Sequence, residues 1–344
     1  MSRQSTSTKP QISTQTLILL CVGWAIFSLL FFLLFSASPP GAERPLWYLR
    51  GIYLLEMGAF LGAALLCFRN WRSHQIVSGR GVWLAIGLGM LSFFLGDAIF
   101  GTWEVIWGQD PAVSPADLFF ILTYIFLGWG MLQAVLPRRL HLDLTQWGII
   151  GGVGLAGVVI AFFVNYYAAQ EDAQALGEFP PKIEQVNFVS TESIAQAPAP
   201  PNATDDSSGE VLNQAIPPAE EENSSSAPDW VIKLDAQLEP LEGIVTFLYV
   251  IGDCILITIA ATLLVAFWGG RFSESWKLIA IAAFCLYIAD MIFAFIANNP
   301  NIEYEGGGVW EVFWTFSGVF FALGAAVEYG ISTRSRRSLR RKRG

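Results

Sequence analysis

Residues 82–106 read VWLAIGLGMLSFFLGDAIFGTWEVI, and this stretch decides the fold class. It is longer than the roughly 20 apolar residues with which an α-helix crosses the hydrocarbon core of a bilayer. Its only charged residues are two acids, Asp97 and Glu104. We therefore predict a transmembrane helix here, with two carboxyl groups inside it or near its end.

Seven further stretches have the same character and predict an all-α, polytopic protein with about eight transmembrane helices in a lipid bilayer. The composition agrees, because 53% of the residues are hydrophobic and only 14% are charged, against about 25% charged in a soluble domain. The seven stretches cover residues 15–36, 47–68, 116–136, 147–167, 243–267, 276–297 and 309–330.

The charges of the connecting segments predict the orientation of the chain. Cytoplasmic loops carry an excess of lysine and arginine. Basic residues follow each even-numbered helix, whereas the alternate loops are acidic or nearly neutral. Both termini are therefore expected in the cytoplasm. The basic residues are Arg69, Arg72 and Arg80, then Arg138 and Arg139, then Arg271 and Lys277, and finally the cluster from Arg334 to Arg343.

One long connection is unlike the others. Residues 170–240 are rich in Pro, Ala, Ser and Glu, and residues 171–239 hold fourteen acids and two lysines. Such a segment has too little apolar surface to offset the entropy cost of ordering, so we expect a disordered extracytoplasmic loop. Within it, residues 230–238 are expected to form an amphipathic stretch at the membrane surface. The tail at 334–344 holds seven bases and no acid, which is typical of a cytoplasmic end that attracts anionic lipids.

An internal repeat divides the chain into two four-helix units, residues 1–140 and 141–344. The segment FLGDAIFG at 94–101 matches YIADMIFA at 287–294, and DLFF at 117–120 matches EVFW at 311–314. In the same register Thr123 pairs with Ser317. Four crossings return a chain to its starting side, so the two units are predicted to be parallel, related by a pseudo-twofold axis along the membrane normal.

Four acids lie well inside the predicted helices and are the candidate functional residues: Glu56, Asp97, Asp253 and Asp290. Each costs about 2.5–3.5 kcal/mol to place in lipid on insertion scales. Glu104, one heptad after Asp97, lies on nearly the same helix face. No lysine or arginine lies at a comparable depth, so each carboxyl is expected to be protonated, to bind a cation or to accept hydrogen bonds. Two interpretations stay open: a proton- or cation-responsive site between the units, and neutral acids that only tie helices together.

Two further acids are expected to cap helices. Ser114-Pro115-Ala116-Asp117 has the order of a helix start, with serine at the N-cap, proline at the first position and an acid at the third. Glu311 occupies the matching place after a run of three glycines. An acid at that position also complements the helix dipole.

The sequence shows none of the familiar catalytic motifs. Walker loops, glycine-rich nucleotide fingerprints, HExxH and a GxSxG elbow are absent, and no soluble region has the size of a catalytic domain. We expect no enzymatic activity, no cofactor and no nucleic-acid partner. His74 and His141 fall in predicted loops, which argues against axial ligation of haem, and the four cysteines are expected to be small buried hydrophobes. Whether a metal binds is left open.

Three short motifs resemble a known family. They are GDAIFG at 96–101, WGQDP at 107–111 and SPADLFF at 114–120. They are similar to the multi-pass N-terminal membrane modules that precede diguanylate-cyclase or histidine-kinase domains in bacteria, notably cyanobacteria. The resemblance covers residues 47–136 and, more faintly, 241–330. It implies a sensory module in a bacterial inner (plasma) or thylakoid membrane. No output domain follows the basic tail, so a separate cytoplasmic signalling partner is expected.

Three functions are consistent with these observations. The leading one is a non-enzymatic sensory or scaffolding protein that couples an outer or intramembrane signal to a cytoplasmic partner. The first alternative is a proton- or cation-coupled transporter or channel that uses the intramembrane carboxylates. The second is an accessory or assembly subunit of a membrane complex. The small residues GGVGLAG at 151–157 allow close helix approach, so a homo-oligomer is a further expectation.

Overall fold

The computed structural model describes residues 13–37, 44–109, 111–136, 143–177, 227–267, 273–297, 299 and 306–343. Within these ranges the chain is helical and has no strand, and eight helices are long and apolar enough to cross a membrane. The predicted all-α, polytopic fold is thereby confirmed. The helices are α1 Thr14–Phe35, α2 Leu46–Arg72, α3 Arg80–Trp107, α4 Pro115–Val135, α5 Leu144–Gly177, α6 Asp229–Leu238, α7 Glu242–Ala266, α8 Ser273–Ala297 and α9 Val312–Arg343. Short 3-10 helices at Glu239–Leu241 and Val309–Glu311 precede α7 and α9.

Six of these helices form a closed ring. Along the ring, α2 packs on α3, α3 on α4, α4 on α7, α7 on α8, α8 on α9, and α9 returns to α2. Helix α1 lies outside the ring against α2 and α9. Helix α5 also lies outside, where the Tyr287 hydroxyl of α8 donates a hydrogen bond to the carbonyl of Gly157 at 2.9 Å.

The ring is tight because small residues stand where helices cross. A Cβ atom on Gly318 of α9 would lie 3.0 Å from the Cβ of Ala59 in α2. One on Gly130 of α4 would lie 2.9 Å from Ile86 of α3. Without a hydrophobic driving force between helices in lipid, such close approach increases dispersion contact between them.

Contacts at both ends show that α2 and α9 run in the same direction. At the start of α2, the Tyr48 hydroxyl donates to the carbonyl of Gly307 at 2.8 Å. Near the end of α2, the Asn70 amide donates to the carbonyl of Ala325 at 2.8 Å. This is the relation expected of the second and eighth crossings. We call the half of the ring that contains Arg69 and Asn70 the basic end.

Large apolar side chains fill the middle of the ring. Phe60 of α2 stacks on Phe93 of α3 with ring centroids 3.8 Å apart. We use the name apolar layer for six buried residues of this core, drawn from α2, α3, α4, α7 and α9. They are Phe60, Met90, Phe93, Leu127, Leu256 and Phe321.

The helix bounds differ from the sequence-based expectation in two places. Helix α5 continues to Gly177, into the segment predicted as a loop, and the rest of that segment between 178 and 226 lies outside the described residues. Helix α9 continues to Arg343, so the basic tail extends the last helix without a break. The predicted amphipathic stretch is the separate helix α6, whose Asp235 carboxylate accepts a 3.0 Å hydrogen bond from the Trp103 indole.

The order of helices around the ring is the order that two repeated units would give. Helices α2, α3 and α4 occupy one half and α7, α8 and α9 the other, with α4 next to α7 and α9 next to α2. The outer helices depart from this symmetry, because α1 packs on α9 whereas α5 contacts α7 and α8. The repeat itself stays a prediction from the sequence.

Candidate functional site

The four candidate acids and Glu311 come together inside the ring. Asp253 is 1% exposed, Asp97 4%, Glu311 5% and Glu56 6%, and Asp290 is half-buried. Glu56 lies close enough to Asp97, Asp290 and Glu311 for their charges to interact. We call these five residues the carboxyl cluster. They come from α2, α3, α7, α8 and the 3-10 helix before α9, and we call their half of the ring the acid end.

Two hydrogen-bond donors serve the Asp253–Asp290 pair. The Tyr124 hydroxyl of α4 lies 2.9 Å from Oδ1 of Asp253 and 2.8 Å from Oδ2 of Asp290. The Trp314 indole of α9 donates to Oδ1 of Asp290 at 2.7 Å. A phenol carries one hydrogen and donates to one carboxylate at a time. The second contact is therefore a hydrogen bond only when that carboxyl itself holds a proton.

The Glu56–Asp97 pair lacks these donors. The repeat register pairs Thr123 with Ser317. In this register Gly318 matches Tyr124, and Phe120 matches Trp314. Phe120 does lie beside α3, because a Cβ on Gly96 would come within 2.6 Å of its ring. A phenylalanine ring and a glycine have no polar side-chain hydrogen to offer.

The consequence is visible at Asp97. Its Oδ2 atom is fully buried and has no hydrogen-bond partner among the described residues. The hydroxyl of Thr315, one turn before Gly318 on α9, is likewise buried and without a partner in that part of the chain. Buried polar atoms are nearly always paired in folded proteins, so such exceptions call for an explanation.

The two helix-start acids cap their helices as predicted, and one of them also joins helices. The backbone amide of Ser114 donates to Asp117 Oδ2 at 2.7 Å, which completes a capping box. The amides of Gly307 and Gly308 donate to Glu311 Oε1 at 2.6 and 3.0 Å. In addition, the Tyr249 hydroxyl of α7 donates to Asp117 Oδ1 at 2.6 Å and ties α7 to the start of α4.

Glu104 belongs to the rim of the site. It is half-buried, and it accepts a hydrogen bond from the Tyr53 hydroxyl of α2. A Cβ on Gly306 would lie 2.6 Å from its Oε1 atom, so Glu104 borders the glycine turn that leads into Glu311. That Glu104 shares a face of α3 with Asp97 stays a prediction from the sequence.

The partners of the acids were not found by sequence reasoning. The local sequence does not identify Tyr53, Tyr124, Tyr249 and Trp314 as donors, because each contacts an acid on a different helix. The signal was present in the repeat register. It aligns a tyrosine with Gly318 and a tryptophan with Phe120, and so indicates that two similar sites have different donors.

Arg44 lies close enough to Glu311 for their charges to interact, but the four deep acids have no such neighbour among the described residues. Across the described ranges, none of the four deep acids forms an ion pair with a basic side chain. In the same ranges, no group of three or more His, Cys, Asp or Glu side chains is placed to hold a metal ion. The four cysteines are free thiols, with Cys67 and Cys285 buried in the helices.

Comparison with known proteins does not assign this site to a family. No family model matches the chain, and the searches of curated proteins and of solved structures found no match. The geometry of the acid end is therefore the basis of the function proposed below.

Proposed function

We propose that this protein is a membrane sensor that binds a proton at the Glu56–Asp97 pair and passes the change along α9 to a partner at the other end of the ring. The buried Oδ2 atom of Asp97, which has no donor among the described residues, is the observation that carries the proposal. A buried carboxylate without a donor or a counter-charge is strongly disfavoured in its ionised form. Gaining and losing a proton therefore changes the energy of this site more than that of a well-bonded carboxyl.

The Asp253–Asp290 pair keeps its geometry when the charge of the Glu56–Asp97 pair changes. Asp253 and Asp290 are bonded by Tyr124 and Asp290 also by Trp314, so their geometry is held whichever carboxyl has the proton. The two pairs meet through Glu56, which lies near Asp290 as well as Asp97. A change of charge at Glu56 acts on both halves of the ring.

Helix α9 supplies a path from the site to the opposite end. Glu311 and Trp314 belong to the acid end, and Gly318 lies in close contact with α2 at the level of the apolar layer. The same helix then continues without a break to Arg343. A shift of its first turn is therefore transmitted to its basic end, where the loop charges predict the cytoplasm and hence the signalling partner.

The apolar layer favours sensing over transport. Phe60 lies one helical turn from Glu56, and Phe93 one helical turn from Asp97, in both cases on the side of the basic end. The two rings stack with centroids 3.8 Å apart. A proton or cation that crossed the ring would have to pass this packed layer. A transporter would require the apolar layer to open. An assembly subunit would require no carboxyl that gains and loses a proton.

Infrared spectroscopy of the purified protein in nanodiscs tests the proposal. The carbonyl stretch of protonated carboxylic acids is followed as the pH is varied. We expect a titrating band in the wild type that is lost in Asp97→Asn and kept in Asp290→Asn, which is the matched control. A titration identical in wild type and Asp97→Asn would contradict the proposal.

Proteoliposome flux separates the sensor from the transporter. We expect no proton or cation flux above that of protein-free vesicles for the wild type. Flux that depends on Asp97 and Asp290 would instead support the transporter.

A further inference from the structure

A second buried carboxylate lies at the basic end, away from the carboxyl cluster. Glu328 of α9 is 0% exposed. Its Oε1 atom accepts hydrogen bonds from the hydroxyls of Ser78 at 2.7 Å and Ser332 at 3.3 Å, and the Ser275 hydroxyl lies beside the same carboxyl group. Its Oε2 atom is buried and has no hydrogen-bond partner in the part of the chain that the structure describes. We call Glu328 and these three serines the Glu328 site.

The surroundings of this site are rich in oxygen atoms. Ser275 donates to the carbonyl of Gly324 at 3.0 Å, one turn before Glu328. Asn70 of α2 contacts the same stretch of α9 through its amide nitrogen, and its own Oδ1 atom is buried with no partner among the described residues. Among the described residues, two side-chain acceptors at this end of α9, Glu328 Oε2 and Asn70 Oδ1, thus have no donor.

Arg69 of α2 lies at the same end of the ring, and its Nε and Nη2 atoms are buried without a hydrogen-bond partner among the described residues. The Arg69 guanidinium lies over the ring of Tyr329 at 4.1 Å from its centroid. It forms no ion pair with Glu328 within the described ranges. An uncompensated carboxylate in the interior carries a desolvation penalty of several kcal/mol, which a bound cation would relieve.

We propose that the Glu328 site, with its unpartnered Oε2 atom and three hydroxyls, binds one monovalent metal cation of the sodium type. Carboxylate, hydroxyl and carbonyl oxygens are the ligands that hard cations prefer. One carboxylate balances one positive charge, whereas calcium sites generally use several carboxylates. The site lies beyond the apolar layer from Asp97, so this inference goes beyond the proposed proton response and stands without it.

Thermal unfolding of the full-length protein in detergent tests the cation site. Sodium chloride is compared with choline chloride at equal ionic strength. A ligand that binds only the folded state raises its stability in proportion to the logarithm of its concentration above Kd. We expect a sodium-dependent rise in Tm for the wild type and for Asp97→Asn, and loss of this dependence in Glu328→Gln.

A second variant keeps the test valid if Glu328→Gln does not fold. Ser332→Ala retains the carboxylate and removes one hydroxyl, so its Tm should respond to sodium only at higher concentrations. Equilibrium binding of radioactive sodium to the wild type should reach one ion per chain.

Three results would overturn the inference: equal Tm values in sodium and choline, a sodium response that persists in Glu328→Gln, or a protonated-carboxyl infrared band of the wild type in sodium chloride that Glu328→Gln removes. The last of these would show that a proton, and not a metal cation, neutralises Glu328.

Discussion

Tyr124 and Gly318 hold matching positions in the two predicted units, and the difference between them separates the two acid pairs. The tyrosine reaches two carboxyls from a helix of the other unit. The glycine brings α9 against the backbone of α2 and offers no donor. At the residue scale, the same helix arrangement therefore gives one bonded pair and one pair with an oxygen that has no partner in the described part of the chain.

Replacing Tyr124 by phenylalanine should destabilise the protein. The change removes the Tyr124 donor from Asp253 and one of two donors from Asp290. A buried polar group that loses its partner costs about 1–3 kcal/mol. The loss is measured as a lower unfolding free energy, or a lower Tm, in detergent.

A double-mutant cycle with Asp253→Ala, which removes the acceptor, is the control for this prediction. If the hydroxyl bonds to Asp253, the two changes are non-additive because the partners act together. Strictly additive effects would show that the bond contributes nothing in solution.

Helix α9 is the element on which the proposed function depends. It contacts α1, α2 and α8, it starts next to the carboxyl cluster, and it holds Glu328 about halfway along its length, at the basic end of the ring. The contact with α2 is the tightest point, because a Cβ on Gly318 would lie 3.1 Å from the backbone nitrogen of Phe60. Backbone atoms cannot move aside as the end of a flexible side chain can.

Gly318→Ala should therefore push α9 away from α2. Overpacking of this kind typically costs about 1–3 kcal/mol, and it should lower Tm and weaken the response of the acid end. The matched control is Gly128→Ala in α4, where the added Cβ meets nothing within 4 Å. That change should leave stability unchanged or raise it by about 0.5–1 kcal/mol through helix propensity. Equal effects of the two substitutions would argue against a close α2–α9 contact.

At the scale of the whole molecule, the charge pattern predicts which side of the membrane each loop occupies. His74, between α2 and α3, and Ala112, between α3 and α4, are both exposed and lie at opposite ends of α3. In a variant with the four native cysteines replaced by alanine, His74→Cys should be protected in intact cells and Ala112→Cys should react with a membrane-impermeant thiol reagent.

Permeabilised cells provide the control, since both positions should then be labelled. Labelling of His74→Cys alone in intact cells would place the termini outside. It would also put the carboxyl cluster on the cytoplasmic half of the membrane.

Much of the fold could be predicted from the residues in order along the chain. Hydrophobic length determines where helices cross a bilayer, because every backbone polar group in lipid must be bonded within its own helix. Capping by Asp117 and Glu311 was also predictable, since the groups that cap a helix lie within four residues of its start.

Whether each buried acid has a hydrogen-bond donor depends on contacts between helices that are far apart along the chain. Tyr124 lies 129 residues from Asp253, and Ser78 lies 250 residues from Glu328. Glu328 stands near the predicted end of the last helix, where an acid is expected to reach water, so the sequence alone does not predict its burial. Whether a buried carboxyl finds a donor is set by which helices become neighbours, and that depends on small residues such as Gly318 at the crossings. Helix formation is a local property of the chain, whereas pairing of buried polar groups is a property of the packed bundle.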